Sequence, residues 1–119
     1  MEPKDLKQRT KAFALRIIRL VESLPKLQTS FILGRQLLRS GTSVGANYRA
    51  ACRAKSAPDF ISKMGTVEEE ADESLFWMEL LIEAGIVESK KLEALMKEAD
   101  EIIAITVSSI NTARKKNKR

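Results

Sequence analysis

Apolar side chains in this chain recur at intervals of three and four rather than two, and the recurrence breaks three times, at proline, glycine and serine. That spacing lines up one face of an α-helix and leaves no alternating pattern for strands. The first helical run starts near Pro3, an allowed first-turn proline, and passes through Leu6, Phe13, Ile17, Val21 and Leu24 until Pro25 stops it. The second is expected to start at Thr29 or Ser30, both good N-caps, and to run through Leu37, Val44 and Tyr48 to about Lys55. Ser56 then restarts the chain as an N-cap, with Asp59 placed to complete a capping box. A third stripe, Phe60, Met64, Val67, Ala71, Leu75, Met78 and Ile82, ends at Gly85-Ile86, a left-handed stop with an apolar residue behind it. Ser89 is placed to cap the fourth helix, which buries Leu92, Met96, Ala99, Ile103, Thr106 and Ile110. The last three helices span about 26 residues each, roughly 39 Å. Connections near residues 25–28, 55–58 and 85–88 are short enough to demand antiparallel neighbours. The expected fold is all-α: an antiparallel up-down-up-down four-helix bundle over residues 1–113, followed by a basic C-terminal tail over 114–119.

A chain of 119 residues with 44% apolar side chains suits one domain, of a size at which oligomerisation often helps. It has no histidine and one cysteine, which removes the usual general base, an intrachain disulfide and a thiolate zinc cluster. Cys52 is expected on the inner side of the second helix, as an inert thiol. Glu68 and Asp72, one turn apart, are read as ion-pairing groups rather than an acid/base or metal site. The expectation is therefore no enzyme, no metal and no organic cofactor. No apolar run approaches the roughly 18 to 20 residues that cross a bilayer, and no leader-like segment follows the N-terminus, so the reading is a soluble cytoplasmic protein without a membrane partner.

Charge is polarised along the chain. Residues 1–57 carry 12 basic and 3 acidic side chains, whereas residues 58–113 carry 4 basic and 13 acidic ones. The net charge of +5 therefore resides in Arg114, Lys115, Lys116, Lys118 and Arg119. The halves can attract each other within one molecule or between neighbours stacked head to tail.

Three faces of the second helix are distinguishable. Arg35, Arg39, Arg49 and Arg53 fall in one stripe within about 80°, with the large apolar residues roughly opposite. Between them lie Ser40, Ser43, Asn47, Ala50 and Ala54, small enough for close approach of another helix. Gly41 and Gly45 each cost about 1 kcal/mol relative to alanine, which close packing would offset. On the third helix, Trp77 falls about 120° from the core direction, beside Thr66, Glu70 and Glu73, so an outward tryptophan is expected, either half buried by a neighbour's long side chain or at a subunit interface.

The stretch Leu33 to Gly45 (LGRQLLRSGTSVG), continuing through Ala46-Asn47-Tyr48-Arg49 to Asp59-Phe60-Ile61-Ser62-Lys63 and Glu73-Ser74-Leu75-Phe76-Trp77, resembles the bacterial four-helix-bundle family encoded in 23S rRNA intervening sequences. The resemblance covers about residues 10–113. Ala50 departs from it, since the family often has glutamate three residues after the asparagine. The family is similar to the accessory variability determinant protein of diversity-generating retroelements. That likeness implies barrel-shaped homopentamers of four-helix protomers with a basic surface, and in the retroelement relative an association with a reverse transcriptase and nucleic acid.

From these readings the chain is expected to be a homo-oligomeric ring, with a pentamer favoured by the resemblance alone. Its interface is expected to use Ser43, Asn47, Ala50, Ala54, Glu70, Glu73 and Trp77. RNA or another nucleic acid is the expected partner, bound by Arg35, Arg39, Arg49, Arg53, Arg114, Lys115, Lys116, Lys118 and Arg119 through phosphate contacts. Only Tyr48 is interleaved with the arginines of the second helix, so backbone contact rather than base stacking is expected. The alternative is a protein-binding scaffold or accessory subunit, for example of a reverse transcriptase, whose arginines are consumed by acidic residues of its own neighbours.

Overall fold

A computed structural model describes residues 3–118. Within them lie four helices, α1 (Pro3–Ser23), α2 (Gln28–Cys52), α3 (Ala57–Glu83) and α4 (Ser89–Asn117), and no strand. They form a four-helix bundle about 52 Å long and 22 by 20 Å across. Consecutive helices pack side by side, while α1 and α4 meet over a shorter stretch. Fully buried Phe13 and Ile17 from α1, Leu37 and Val44 from α2, Met64, Val67 and Met78 from α3, and Ile102 from α4 build the core. Most of these are residues that the three-and-four spacing puts on one face of each helix, but the buried face is turned by one position in places: Leu81 and Ser74 on α3, and Leu95 and Ile102 on α4, are buried, while Leu75, Ile82, Met96 and Ile103, expected inside, are partly buried beside them.

The helix ends test the cap assignments one by one. Ser56 is the N-cap of α3, and its hydroxyl accepts the Asp59 backbone N–H at 3.1 Å. The returning half of the box is displaced by one residue, because Asp59 Oδ2 accepts the N–H of Lys55 at 3.1 Å. Lys63, one turn on, donates to Asp59 Oδ1 and holds this carboxyl below its ordinary value. At the other end of α3, Gly85 has φ +74°, and its N–H donates to Ile82 O while Ile86 N–H reaches back to Leu81 O, both at 3.0 Å. This is the expected left-handed stop with its paired 5→2 and 6→1 bonds.

Two expected caps are not used. The N-cap of α2 is Leu27, with no side-chain cap bond, so the helix starts ahead of Thr29 and Ser30. The turn after Pro25 already closes through Leu27 N–H to Pro25 O, and Ser30 is drawn into the protein interior, where its hydroxyl is buried without a partner among the described residues. Ser89 is the first helical residue of α4, with Glu88 as N-cap. The two serines should respond oppositely in thermal melts. Ser56→Ala is expected to lower stability by about 1 kcal/mol through the lost cap. Ser30→Ala is expected to raise it by roughly 0.5 to 1 kcal/mol, since it removes an unsatisfied hydroxyl and improves helix propensity.

Two further corrections bear on function. α4 continues as helix to Asn117, so Arg114, Lys115 and Lys116 stand on its last turns rather than on a separate tail. Lysine and arginine are good helix formers and complement the negative end of the helix dipole there. Cys52 is exposed rather than inside, because it is the last residue of α2 and faces an open cleft at the end of the bundle.

Candidate nucleic-acid interface

The two halves of opposite charge are the two layers of the bundle: α1 and α2 form the basic layer, α3 and α4 the acidic one. Each seam between the layers carries ion pairs. Across α1 and α4, Arg9 Nε and Nη2 donate to the two carboxylate oxygens of Glu98 at 2.9 and 2.5 Å, and Nη2 also reaches Glu101 at 3.1 Å. The fork geometry is the strong bidentate form and raises the guanidinium pKa further. Across α2 and α3, Arg39 donates to Glu70 at 3.2 Å and also pairs with Glu73. Burial pushes the Glu70 carboxyl above its ordinary value, helped by Glu73 and opposed by Arg39. For these residues the attraction between halves acts inside one molecule.

Arg39 is thus occupied. It joins Glu70, Glu73 and Trp77 in one cluster, since the Trp77 indole N–H donates to Glu73 Oε1 at 3.3 Å. Trp77 is half-buried on the α2/α3 seam rather than turned outward. Its neighbour Phe76 is the outward aromatic, 50% exposed, and meets the indole edge-on at a centroid distance of 5.1 Å. The small-residue face of α2 also has a use within the single chain. Ser40 is fully buried, and Ser74 Oγ lies 3.0 Å from Ser40 Oγ, so the two helices approach closely at a pair of hydroxyls. Ser43, Asn47, Ala50 and Ala54 remain half-buried along the same side.

The remaining arginines of the stripe are different. Arg35, Arg49 and Arg53 are exposed and have no ion-pair partner among the described residues. Arg35 and Arg53, the C-cap residue of α2, lie 18 residues apart, about 27 Å. Arg114, Lys115, Lys116 and Lys118 are exposed as well, and Arg119 lies outside the described residues. The antiparallel topology brings the C-terminal turns of α4 to the end of the bundle where α2 finishes. A cleft of about 550 Å³ there is lined jointly by Leu6, Tyr48, Cys52 and Lys116. Arg49 and Arg53 therefore share one end of the molecule with the basic end of α4, while Arg35 sits further along. Burial and the adjacent Cys52 push the Tyr48 phenol pKa upward, so the phenol stays neutral and adds no negative charge.

Two lysines that the sequence places on the outer face of the first helix were not joined there to any site. Lys7 and Lys11 of α1 line a second cleft, of about 400 Å³, together with Arg49 of α2. The signal available was their spacing of four beside an alanine, but placing them beside Arg49 needs the rotation of α1 against α2.

These features define an antiparallel four-helix bundle with one basic and one acidic layer. The chain belongs to the 23S rRNA-intervening sequence protein family, whose family model matches residues 3–108. Its fold is similar to a crystal structure of a protein of unknown function from the S23 ribosomal protein family of Bacteroides thetaiotaomicron, at 37% identity and a TM-score of 0.87. That match covers 93% of this chain and 99% of the other. No curated protein matches the chain significantly. Among the described residues, no helix is long and apolar enough to cross a membrane.

Proposed function

We propose that the chain is a non-enzymatic homo-oligomer, with a pentameric ring favoured, that associates with RNA through the phosphate backbone. The observation that carries this reading is the convergence of Arg49 and Arg53 of α2 with the basic end of α4 on one end of the bundle, with no ion-pair partner for these cations among the described residues. A ring would repeat that end several times, and multivalent phosphate contacts then give strong, weakly sequence-specific binding. Arg35 extends the same surface. Arg39 drops out of the contact set, because its charge is spent on Glu70 and Glu73. Half-buried Ser43, Asn47, Ala50, Ala54 and Trp77 and the exposed Phe76 keep enough unfilled surface for a partner subunit.

A scaffold for a protein partner, such as a reverse transcriptase, is the second reading. It is favoured by the internal use of Arg39 and by exposed Phe31 and Ile32 near the start of α2, at 65% and 56%. The experiment that separates them is fluorescence anisotropy with a structured RNA at about 50 mM salt, paired with light scattering at micromolar protein. RNA binding by an oligomer supports the first reading. An oligomer that leaves the RNA free supports the scaffold, and a monomer removes the ring.

A further inference from the structure

The seams between the basic and acidic layers are stitched by ion pairs, but the α1/α2 seam joins two basic helices. Its cleft of about 400 Å³ has a floor of short side chains, with Ala14 from α1 and Thr42, Gly45 and Ala46 from α2. Gly45 allows this depth: a Cβ there would stand 3.3 Å from the backbone oxygen of Thr10, so the helices nearly touch beneath the floor. Lys7 and Lys11 rise from one side and Arg49 from the other. All three are exposed, and none has an ion-pair partner among the described residues. The nearest acidic positions on α1 do not answer them. Asp5 precedes Lys7 by two residues, about 200° round the helix, and Glu22 lies 11 residues beyond Lys11, about 16 Å along it.

We propose that this cleft binds a run of phosphate groups supplied by an RNA backbone, an inference that rests on the RNA-associated reading above and gives it a defined groove. Lys7 and Lys11 stand one turn apart, about 6 Å along α1, so the cleft presents a row of charge rather than a point and fits a chain of anions better than a single one. Low-dielectric walls on a concave surface focus that positive potential. The threonine hydroxyls make no competing demand, since Thr10 Oγ1 donates to Lys7 O and Thr42 Oγ1 to Leu38 O. No aromatic side chain lines the cleft, so bases gain no stacking platform and the contact is with phosphate.

The test uses the full chain and two double variants of equal charge loss, Lys7→Gln with Lys11→Gln in the cleft, and Lys90→Gln with Lys91→Gln at the opposite end of the bundle. All four lysines are exposed, so both variants should melt as the parent does. The probes are a structured RNA hairpin, followed by anisotropy at about 50 mM salt, and inorganic tripolyphosphate, followed by calorimetry. The cleft variant is expected to lose at least tenfold in RNA affinity and to lose the tripolyphosphate heat, while the control changes less than twofold. RNA binding weakened equally by both variants would overturn the cleft and leave the RNA reading standing. Tripolyphosphate binding that depends on Lys7 and Lys11, without RNA binding by the parent, would keep the cleft as a site for a free polyphosphate and overturn RNA as its source. Neither ligand binding the parent would overturn both.

Discussion

Replacing Gly41 with valine should destabilise the protein by about 3 kcal/mol, the upper part of the range for overpacking a filled core. A Cβ at this position would lie 2.7 and 2.8 Å from Cγ1 and Cγ2 of Ile17, and 3.1 Å from its Cβ. Ile17 is fully buried and β-branched, with one strongly preferred rotamer in a helix, so it cannot swing aside and α1 must move. Gly65 of α3 supplies the contrast. A Cβ there meets nothing within 4 Å, and Gly65→Ala should stabilise by about 1 kcal/mol through helix propensity alone. Chemical denaturation of both variants checks the pair. Opposite signs are expected from two helical glycines, and a neutral Gly41→Val would mean that α1 does not pack on α2 as described. Partial rescue of Gly41→Val by Ile17→Ala, short of the sum of the two single effects, would locate the clash.

The second large effect concerns ligand binding. On the proposed function, Arg49→Glu with Arg53→Glu is expected to weaken RNA binding a hundredfold or more, about 3 kcal/mol, because each subunit of the proposed ring would lose two contacts and gain two repulsions. Arg39→Glu should do far less, since that side chain already faces Glu70 and Glu73. Both changes near the end of α2 place a carboxylate at the negative end of the helix dipole, a penalty of up to about 1 kcal/mol that a thermal melt will register separately from binding. Equal losses from Arg39→Glu and from the double variant would contradict the division of the arginine stripe into one ion-paired member and three that are unpaired among the described residues.

Why that division was hidden in the sequence is a matter of what a helical wheel contains. Periodicity within one helix fixes which residues share a face, and it places Arg35, Arg39, Arg49 and Arg53 in one stripe. Whether a face meets a partner depends on the rotation of one helix against the next, which the stripe alone does not carry. Hence Arg39, at one margin of the stripe, reaches α3, and Arg49, at the other, reaches the α1 cleft. The same limit explains Trp77, whose position on a wheel is also that of the α2 flank. Phe76, one residue earlier, lies about 140° from the core direction of α3 against about 120° for Trp77, so the wheel alone does not say which of the two aromatics turns outward. Fold-level features were legible because they are local: Pro25, the Ser56 cap and the Gly85 stop each act within a few residues. Gly41 and Gly45 were also legible as close-packing sites, since two helical glycines four apart need compensation, although their partners on α1 needed the structure.

Oligomeric RNA association through phosphate contacts makes one quantitative demand, and a salt titration meets it most directly. The logarithm of the RNA association constant should fall linearly with the logarithm of salt concentration, with a slope of roughly −0.7 to −0.9 for each phosphate neutralised. For a ring that repeats Arg49, Arg53 and the basic end of α4, a slope steeper than about −4 is expected, becoming shallower when residues 114–119 are deleted. A slope near zero, or no binding to structured RNA at about 50 mM salt, would contradict the account.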